Sequence, residues 1–405
     1  MRDVDPSHPL HFFECDPAGL ADAFVAWGLK AFRAKQVMQW VYERGVSDFD
    51  AMTNLPRADR AVLRERLLIE SGEAIRQQCA SDATQKLLIA WDARDAREGA
   101  LAVSSRQPSL AGADRTALPL IEAGTADGDG PGDRERPQTE CVMIPSDSRA
   151  SGRKRQTACI SSQVGCPVGC RFCASGLGGL EQNLSAGRIV EQVWRLGRLE
   201  GVGRITNVVF MGMGEPLANF AAVSKALRHL TAAWGLHLSA RRITVSTVGV
   251  PSGIRRLADV DLPVTLAISL HAPNDEVRRR IIPWAEFVSI EQLIEAGRSY
   301  FDRTGREITL EYILLGGVND QPEHARELAR VAKRLRSNVN LIRYNEVQGL
   351  AFDRPAGEDV RRFREVLAEA NVNVHIRASR GRDIAAACGQ LRHETQQQPA
   401  ATRSA

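Results

Sequence analysis

The sequence lacks the two signals that would direct the chain to a membrane or out of the cell. No apolar run approaches the roughly 18 residues that a membrane-spanning helix needs. The opening stretch MRDVDPSHPLHFFE does not form a signal-peptide pattern, which requires a basic start followed by an apolar run. A cytoplasmic location is therefore expected, with no membrane partner.

A strong excess of charge of either sign is also absent. The net charge is +4 over 405 residues, and the 25% charged and 43% hydrophobic content is that of an ordinary folded protein. This balance excludes a globally cationic nucleic-acid-binding protein, but it leaves room for a local basic face. The length suits one large or two modest domains with a substantial core.

Cysteine is present but unevenly distributed. Four of the eight cysteines lie within residues 159–173. In a long chain without a secretion signal, such clustering indicates metal binding or chemistry rather than a disulfide framework. Cys166, Cys170 and Cys173 form the motif CPVGCRFC, whose spacing differs from the paired C-x2-C arms of structural zinc sites. A [4Fe–4S] cluster bound by these three thiolates would leave one iron open for an outside ligand.

Hydrophobic periodicity predicts a small helical domain over residues 1–80. Apolar residues recur at helical spacing in three stretches, 20–28, 32–45 and 56–68. Lysine and arginine are expected on the outer faces of these helices. The domain is therefore either a plain bundle with a solvated basic surface or an accessory domain that contacts RNA.

Residues 81–156 are predicted to form a strand hairpin and linker that carries a long insertion. The runs QKLLIAW (85–91) and ECVMIP (140–145) are typical of strands. Between them, about residues 92–137 are rich in Gly, Ala, Pro, Ser and Asp and have no periodicity, which is typical of a disordered insertion.

From residue 157 onwards, short β-branched runs alternate with amphipathic helices. Seven strands are predicted, at 157–163, 207–212, 241–249, 264–271, 308–315, 338–345 and 373–379. Helices between them include 185–199, 290–305, 322–336 and 358–370. This alternation predicts an α/β fold with a partial or complete (β/α) barrel over 157–393, followed by a disordered tail over 394–405. Active groups of such a barrel lie at the carboxyl ends of its strands, and the cysteine loop follows the first one.

Four motifs carry a more specific signal. They are CISSQVGCPVGCRFC (159–173), FMGMGEPLAN (210–219), ISLHAPND (268–275) and DIAAACGQL (383–391). Together they resemble the RlmN/Cfr family of radical S-adenosylmethionine adenine methyltransferases, and the N-terminal FRAKQVMQWVYERGVSDFDAMTNLP resembles the accessory domain of that family. The resemblance covers nearly the whole chain except the insertion and the tail, and it implies a radical-SAM barrel.

The resemblance also implies a chemistry. It implies one [4Fe–4S] cluster and two molecules of S-adenosylmethionine per turnover. One molecule methylates a cysteine, and cleavage of the second activates that methyl group for addition to adenine C2, a carbon too electron-poor to attack a sulfonium methyl directly. A base then removes the ring proton, and a second cysteine resolves the enzyme–RNA adduct by forming a disulfide bond.

The implied partners are RNAs and a redox protein. The substrates would be an adenosine in the peptidyl-transferase centre of 23S rRNA and the adenosine just 3′ of the anticodon in tRNA. An electron donor such as flavodoxin or ferredoxin would reduce the cluster. A monomer is expected.

Site residues follow from the matching positions. Cys166, Cys170 and Cys173 match the cluster ligands. Cys388 matches the methyl-carrying cysteine, Cys159 the resolving cysteine and Glu140 the proton acceptor. The residues that match the contacts to S-adenosylmethionine are Gly214, Glu215, Ser246, Ser269, Leu270, His271 and Asn345.

Other interpretations stay open at this point. Methylation at C8, as in the Cfr branch, is not excluded by any residue. A zinc ion held by the three clustered cysteines with Cys159 or Cys141 would make the chain a non-catalytic RNA-binding protein, but that leaves Cys388 and the GMGEP motif without a role. A radical enzyme with a small-molecule substrate would not need the basic helical domain.

Overall fold

The computed structural model describes residues 9–92, 136–147 and 154–391. Nearly all of the predicted insertion and the whole predicted tail lie outside these ranges. Within them, no helix is both long and apolar enough to cross a membrane.

The N-terminal domain is helical, as predicted. Its helices are α1 (Pro17–Ala26), α2 (Arg33–Met38), which continues as a π-helical turn over Gln39–Glu43, and α3 (Arg57–Arg66). Two short parallel strands, β1 (Leu10–His11) and β2 (Leu67–Leu68), bring the two ends of the domain together. The side chain of Asp16 caps α1 by accepting a hydrogen bond from the backbone N–H of Gly19 at 2.7 Å.

A strand that the sequence did not predict follows this domain. β3 (Gly72–Cys79) lies inside the range 1–80 that was assigned to helices, but it pairs with β4 (Gln85–Trp91) in the central sheet. β3 is an end strand with most of its residues exposed, so its sequence GEAIRQQC has no apolar alternation to reveal it. The predicted strand at 85–91 is confirmed as β4.

The central sheet has ten strands among the described residues. After β4 come β5 (Gln138–Asp147) and β6 (Lys154–Cys159), and the pairs from β3 to β6 are antiparallel. A separate hairpin, β7 (Gln163–Gly165) and β8 (Leu180–Asn183), flanks the cysteine loop. The sheet then continues with β9 (Asn207–Phe210), β10 (Ile243–Thr247), β11 (Thr265–Ser269), β12 (Ile308–Leu314), β13 (Ser337–Arg343) and β14 (Val374–Arg377).

The seven predicted barrel strands are all present. β6 and β9 to β14 pair in parallel in chain order, with β14 at one end of the sheet and β3 at the other, which makes a partial (β/α) barrel with an antiparallel extension. β12 is buried over its whole length, as expected for a strand covered on both faces.

Helices connect these strands. They are α4 (Ala186–Gly197), α5 (Phe220–Thr231), α6 (Pro251–Ala258), α7 (Asp275–Ile281), α8 (Ile290–Thr304), α9 (Pro322–Ala332) and α10 (Gly357–Glu369). The four helices predicted from the sequence are α4, α8, α9 and α10. Local signals fix their ends: α8 begins at a capping box of Ser289 and Gln292 and stops at Gly305, whose φ of 64° favours glycine.

The helical domain packs on α4 of the barrel. The indole of Trp194 donates to the carbonyl of Val41 at 2.8 Å, and His11 contacts the buried carboxylate of Glu191 at 3.0 Å. Although burial opposes ionisation, the hydrogen bond from His11 and the charge of Arg195 hold the pKa of Glu191 below its usual value. This buried polar network fixes the domain against the barrel.

Candidate active site

A cavity of about 150 Å³, which opens to solvent, lies at the carboxyl ends of the parallel strands. Most residues that the sequence singled out line this first cavity: Cys166, Cys170, Cys173, Gly214, Glu215, Ser246, Ser269, His271 and Cys388. The strand ends thus bring together side chains that are up to 222 positions apart in the chain, from Cys166 to Cys388.

A second, smaller cavity adjoins the first. Cys159 and Asn345 line only this second cavity, whereas Cys388 and Arg377 line both. Cys388 therefore lies in the wall between a chamber that contains the three clustered cysteines and a chamber that contains Cys159. All eight cysteines fall within the described residues and are free thiols, so the expected disulfide bond is not formed in this structure.

The cysteine loop has the donor set of an iron–sulfur site. Burial raises the pKa of Cys166 to about 12 and also raises the pKa values of Cys170 and Cys173, and the neighbouring thiols add to the effect. Three thiolates in one loop, each only partly exposed, require a compensating positive charge, which bound iron would supply. The residues present therefore fit the cluster that the fold implies.

The same loop does not fit a single zinc ion. Among the described residues, no three His, Cys, Asp or Glu side chains converge closely enough to hold one metal ion. A zinc site would need either Cys159 or Cys141 as its fourth ligand, and neither of them lines the first cavity. Cys141 is buried in β5 and lines neither cavity, and Cys159 lines only the second cavity.

The loop after β9 requires a glycine at its closest approach. Gly214 has a φ of 102°, and a Cβ there would lie 2.7 Å from the Cβ of Gln163. Next to it, the carboxylate of Glu215 accepts hydrogen bonds from the backbone N–H groups of Leu217 (3.0 Å) and Val248 (2.7 Å). Burial raises the pKa of Glu215 to about 7. This arrangement holds a carboxylate at the wall of the first cavity.

His271 is held in one tautomer. Its Nδ1 accepts a hydrogen bond from the backbone N–H of Ile313 at 3.1 Å, which leaves Nε2 to carry the proton. Burial lowers the pKa of His271 to about 3, so the ring is neutral. Its φ of 56° is strained for a residue with a side chain, and its ring packs edge-on against Phe172 of the cysteine loop.

Two predicted residues lie outside both cavities. Leu270 is 1% exposed and packs in the main hydrophobic core. It lines neither cavity, although its chain neighbours Ser269 and His271 line the first. Glu140 is also buried, and its carboxylate pairs with the ammonium of Lys86 at 2.6 Å. Lys86 in turn donates to the carbonyl of Ala385 at 3.4 Å, three residues before Cys388.

Residues 381–391, called here the Cys388 segment, are secured at both ends. At one end, the β3–β4 turn (residues 80–84) contacts the segment: the backbone N–H of Ser81 donates to Asp383 at 2.8 Å, and the N–H of Gly381 donates to Asp82 at 3.1 Å. At the other end, the N–H of Ala174 in the cysteine loop donates to the carbonyl of Gly389 at 2.8 Å. The segment thus connects the β3–β4 turn to the cluster site.

Two charged residues of the site were missed in the sequence. Glu311 on β12 and Arg377 on β14 both line the first cavity. The charge of Cys388 has the largest effect on the pKa of Arg377 and raises it above its usual value. Burial opposes this effect, and the charge of Glu311 adds to it. A signal was available, because Glu311 is the single charged residue in the apolar run ITLEYILL and Arg377 ends the short run VHIR.

Comparison with known proteins agrees with this geometry. Residues 160–329 match the sequence model of the Radical SAM superfamily, and residues 11–69 match that of the ribosomal RNA large subunit methyltransferase N-terminal domain. The probable dual-specificity RNA methyltransferase RlmN of Salinibacter ruber is 43% identical over 93% of this chain and 92% of its own length. The dual-specificity RNA methyltransferase RlmN of Halorhodospira halophila is 42% identical over 95% and 94%.

A solved structure extends the comparison to the fold. The crystal structure of a radical SAM methyltransferase from Sphaerobacter thermophilus has 37% sequence identity and a TM-score of 0.80, and the match covers 95% of this chain and 99% of that one. Its similarity includes both the helical domain and the barrel, since so little of either chain is left out. The chain described here therefore belongs to the RlmN family of radical S-adenosylmethionine RNA methyltransferases.

Proposed function

We propose that this protein methylates C2 of adenosine in RNA through a methyl group carried on Cys388. The observation that carries the proposal is the position of Cys388, which lines both cavities. A residue that accepts a methyl group at one site and delivers it at another needs access to both. The substrates are the 23S rRNA and tRNA adenosines that the family resemblance implies.

The first cavity is the site for the cluster and S-adenosylmethionine. Cys166, Cys170 and Cys173 hold the [4Fe–4S] cluster, which supplies the electron that cleaves the sulfonium when both are bound. Gly214 lets the chain pass close to the amino acid part of the ligand, and the Glu215 carboxylate faces its ammonium group. Two molecules of S-adenosylmethionine are used per turnover.

Other side chains that line the first cavity orient the nucleoside part of S-adenosylmethionine. The hydroxyls of Ser246 and Ser269 lie 3.3 Å apart at the ends of adjacent strands. The neutral His271 offers an Nε2 proton to the same cavity. Asn345 lines the second cavity, so it would contact the ligand only at the boundary between the two.

The second cavity is the site for the RNA base and for release of the product. Cys159 is buried there beside Cys388, and burial followed by the neighbouring Cys388 thiol raises its pKa to about 12. Its proximity supports a resolving role. After losing its proton, the Cys159 sulfur forms a disulfide bond with the Cys388 sulfur, and the bond from that sulfur to the RNA-bound methylene carbon breaks. The carbon keeps the electron pair and takes up a proton to become the methyl group, which frees the RNA. Glu140 is the proton acceptor, which requires the ion pair with Lys86 to open or to pass the proton along.

The helical domain is proposed to contact the RNA outside the reacting base. Lys30, Lys35 and Arg57 are exposed on it, and exposed lysine and arginine bind phosphates without base specificity. We further propose that a flavodoxin or ferredoxin reduces the cluster.

Mass spectrometry of nucleosides tests the proposal. rRNA and tRNA would be separated from cells with the gene, without it, and without it but expressing the Cys388→Ala variant. We expect 2-methyladenosine in one or both RNAs only with the intact gene. Gene-dependent 8-methyladenosine would replace the proposal with C8 methylation, and no change in either nucleoside would remove the RNA substrate.

A further inference from the structure

Polar side chains on three adjacent strands line the first cavity. They are Ser246 on β10, Ser269 on β11 and Glu311 on β12, and Asn340 on β13 continues the row beyond the cavity lining. Ser269 and Glu311 are direct neighbours across the β11–β12 pair, and Glu311 and Asn340 are direct neighbours across the β12–β13 pair. The sequence indicated the two serines as ligand contacts, whereas nothing has assigned a role to the acid beside them.

Glu311 has one carboxylate oxygen without a protein partner. The residue is 3% exposed, and its Oε1 accepts a hydrogen bond from the Asn340 amide at 3.1 Å. Its Oε2 is buried and makes no hydrogen bond to any described residue. The charge of Arg377 acts on Glu311, but the one described side-chain hydrogen bond of Arg377 goes from an Nη to the sulfur of Met211 at 3.2 Å.

A buried carboxylate oxygen without a hydrogen-bond partner indicates that a ligand supplies the missing donor. A buried polar atom left unpaired is costly, and the large majority of buried side-chain polar atoms in native proteins have a hydrogen-bond partner. Because Glu311 lines the first cavity, the missing donor comes from whatever fills that cavity. The strand has no other charged residue between Ile308 and Leu314, so the acid is not part of a general polar surface.

The hydrogen-bond donors of S-adenosylmethionine indicate which of its groups would contact Glu311. The ammonium group of S-adenosylmethionine is proposed to face Glu215, on the loop after β9 and away from Glu311 on β12. The adenine edge pairs a donor with an adjacent acceptor and is matched by an amide, but the Asn340 amide is already occupied by Glu311. The ribose offers two hydroxyl donors side by side, which suit an acceptor flanked by serine hydroxyls, and acidic residues bind ribose hydroxyls in this way in dinucleotide sites.

We propose that Glu311 binds the ribose hydroxyls of S-adenosylmethionine through its free Oε2, with Ser269 and Ser246 continuing the same contact surface. This inference rests on the proposed function, because it assumes that S-adenosylmethionine occupies the first cavity. It adds to the matched contacts a residue that recognises the sugar.

Ligand binding, measured without turnover, tests this role. The protein with its cluster reconstituted under anaerobic conditions would be titrated with S-adenosylmethionine and with its 2′,3′-dideoxy analogue. We expect the wild type to bind the analogue about 10- to 100-fold more weakly, since hydrogen bonds to a charged group are lost. In Glu311→Gln this difference should shrink to a few-fold or less. Because the wild-type comparison requires no substitution, the test holds even where a variant folds poorly.

The matched control is Glu307→Gln. Glu307 is an exposed acid just before the same strand, at the end opposite the cavity, so this variant removes the same charge and should keep the full difference between the two ligands. Equal binding of both ligands by the wild type would overturn the inference, and so would an undiminished difference in Glu311→Gln. A wild type that binds neither ligand, with an unchanged electron paramagnetic resonance signal of the reduced cluster, would instead overturn the proposed function itself.

Discussion

Two parts of the wall of the first cavity are built in different ways. One wall consists of parallel strand ends, where residues such as Ser246 and Ser269 are fixed by strand pairing. The other is the Cys388 segment, whose only regular structure is a short 3-10 turn, Arg382–Ile384. Positive φ angles at Gly381, Ala385 and Gly389 bend this segment sharply. The φ of Ala385 is sterically unfavourable because alanine, unlike glycine, has a Cβ.

The difference suits the two tasks of the site. A cofactor must be held in one place, and strands inside a buried sheet are the most rigid support that a fold provides. A methyl carrier must have access to both cavities, and here it lies on an irregular segment that is held by specific hydrogen bonds. Those bonds come from Asp82 and Lys86 on one side and from the cysteine loop on the other. The proposed methyl carrier therefore lies on an irregular segment held by specific hydrogen bonds, whereas the residues proposed to bind the cofactor lie at strand ends.

The largest expected effect comes from removing the carrier itself. Cys388→Ala should abolish methyl transfer to RNA, because no other thiol lines both cavities within the described residues. Iron content and binding of S-adenosylmethionine should stay at wild-type levels, since the strand wall is untouched. The measurement is methyl transfer to RNA alongside iron analysis. Normal turnover by this variant would contradict the proposed role of Cys388 as the methyl carrier.

Removing the second thiol should stop the reaction at a later stage. Cys159→Ala leaves the carrier and the strand wall intact, but nothing then releases the RNA from Cys388. We expect the variant to retain RNA covalently during purification, visible as a mobility shift on a denaturing gel. The double variant Cys159→Ala/Cys388→Ala is the control and should retain none. RNA-free Cys159→Ala with ordinary product formation would contradict the resolving role.

Breaking the buried ion pair should affect stability. Lys86→Met leaves the Glu140 carboxylate buried without its cation, which costs about 3–5 kcal/mol of unfolding free energy. Adding Glu140→Gln should recover most of the loss, because the charge and its partner are then both absent. Chemical denaturation of the two variants measures this. Equal stability of Lys86→Met and the wild type would show that the ion pair does not contribute to the stability of the fold.

Much of the strand wall was predictable from the sequence, and little of the Cys388 segment was. β-branched runs such as that of β12 identify strands, and parallel topology then places Ser246, Ser269 and His271 at one edge. The acid Glu311 was missed because its meaning depends on a neighbour 29 residues away, Asn340. The role of Asp82 was out of reach, because its contacts to Gly381 and Arg380 join residues about 300 positions apart.

The smallest expected effect comes from loosening the segment without touching the chemistry. Hydrogen bonds from Thr84 and Gly381 hold the pKa of Asp82 below its usual value, although burial opposes this. The contact is therefore present above the usual aspartate range and is lost as the pH falls through the lowered pKa. Asp82→Asn at neutral pH should increase hydrogen–deuterium exchange in residues 381–389 a few-fold, whereas Asp302→Asn, an exposed acid on α8, should not. Equal exchange in both variants would show that Asp82 does not restrain the segment.

Cys388 is proposed to carry the methyl group between the first and the second cavity. The most direct test of this role is mass spectrometry of peptides and nucleosides after incubation with S-adenosylmethionine labelled with deuterium in its methyl group, with and without substrate RNA. The account predicts a labelled methyl group on the Cys388 peptide without RNA, and labelled 2-methyladenosine together with loss of that peptide label once RNA and reductant are added. Labelled RNA formed while Cys388 stays unmodified throughout would contradict it.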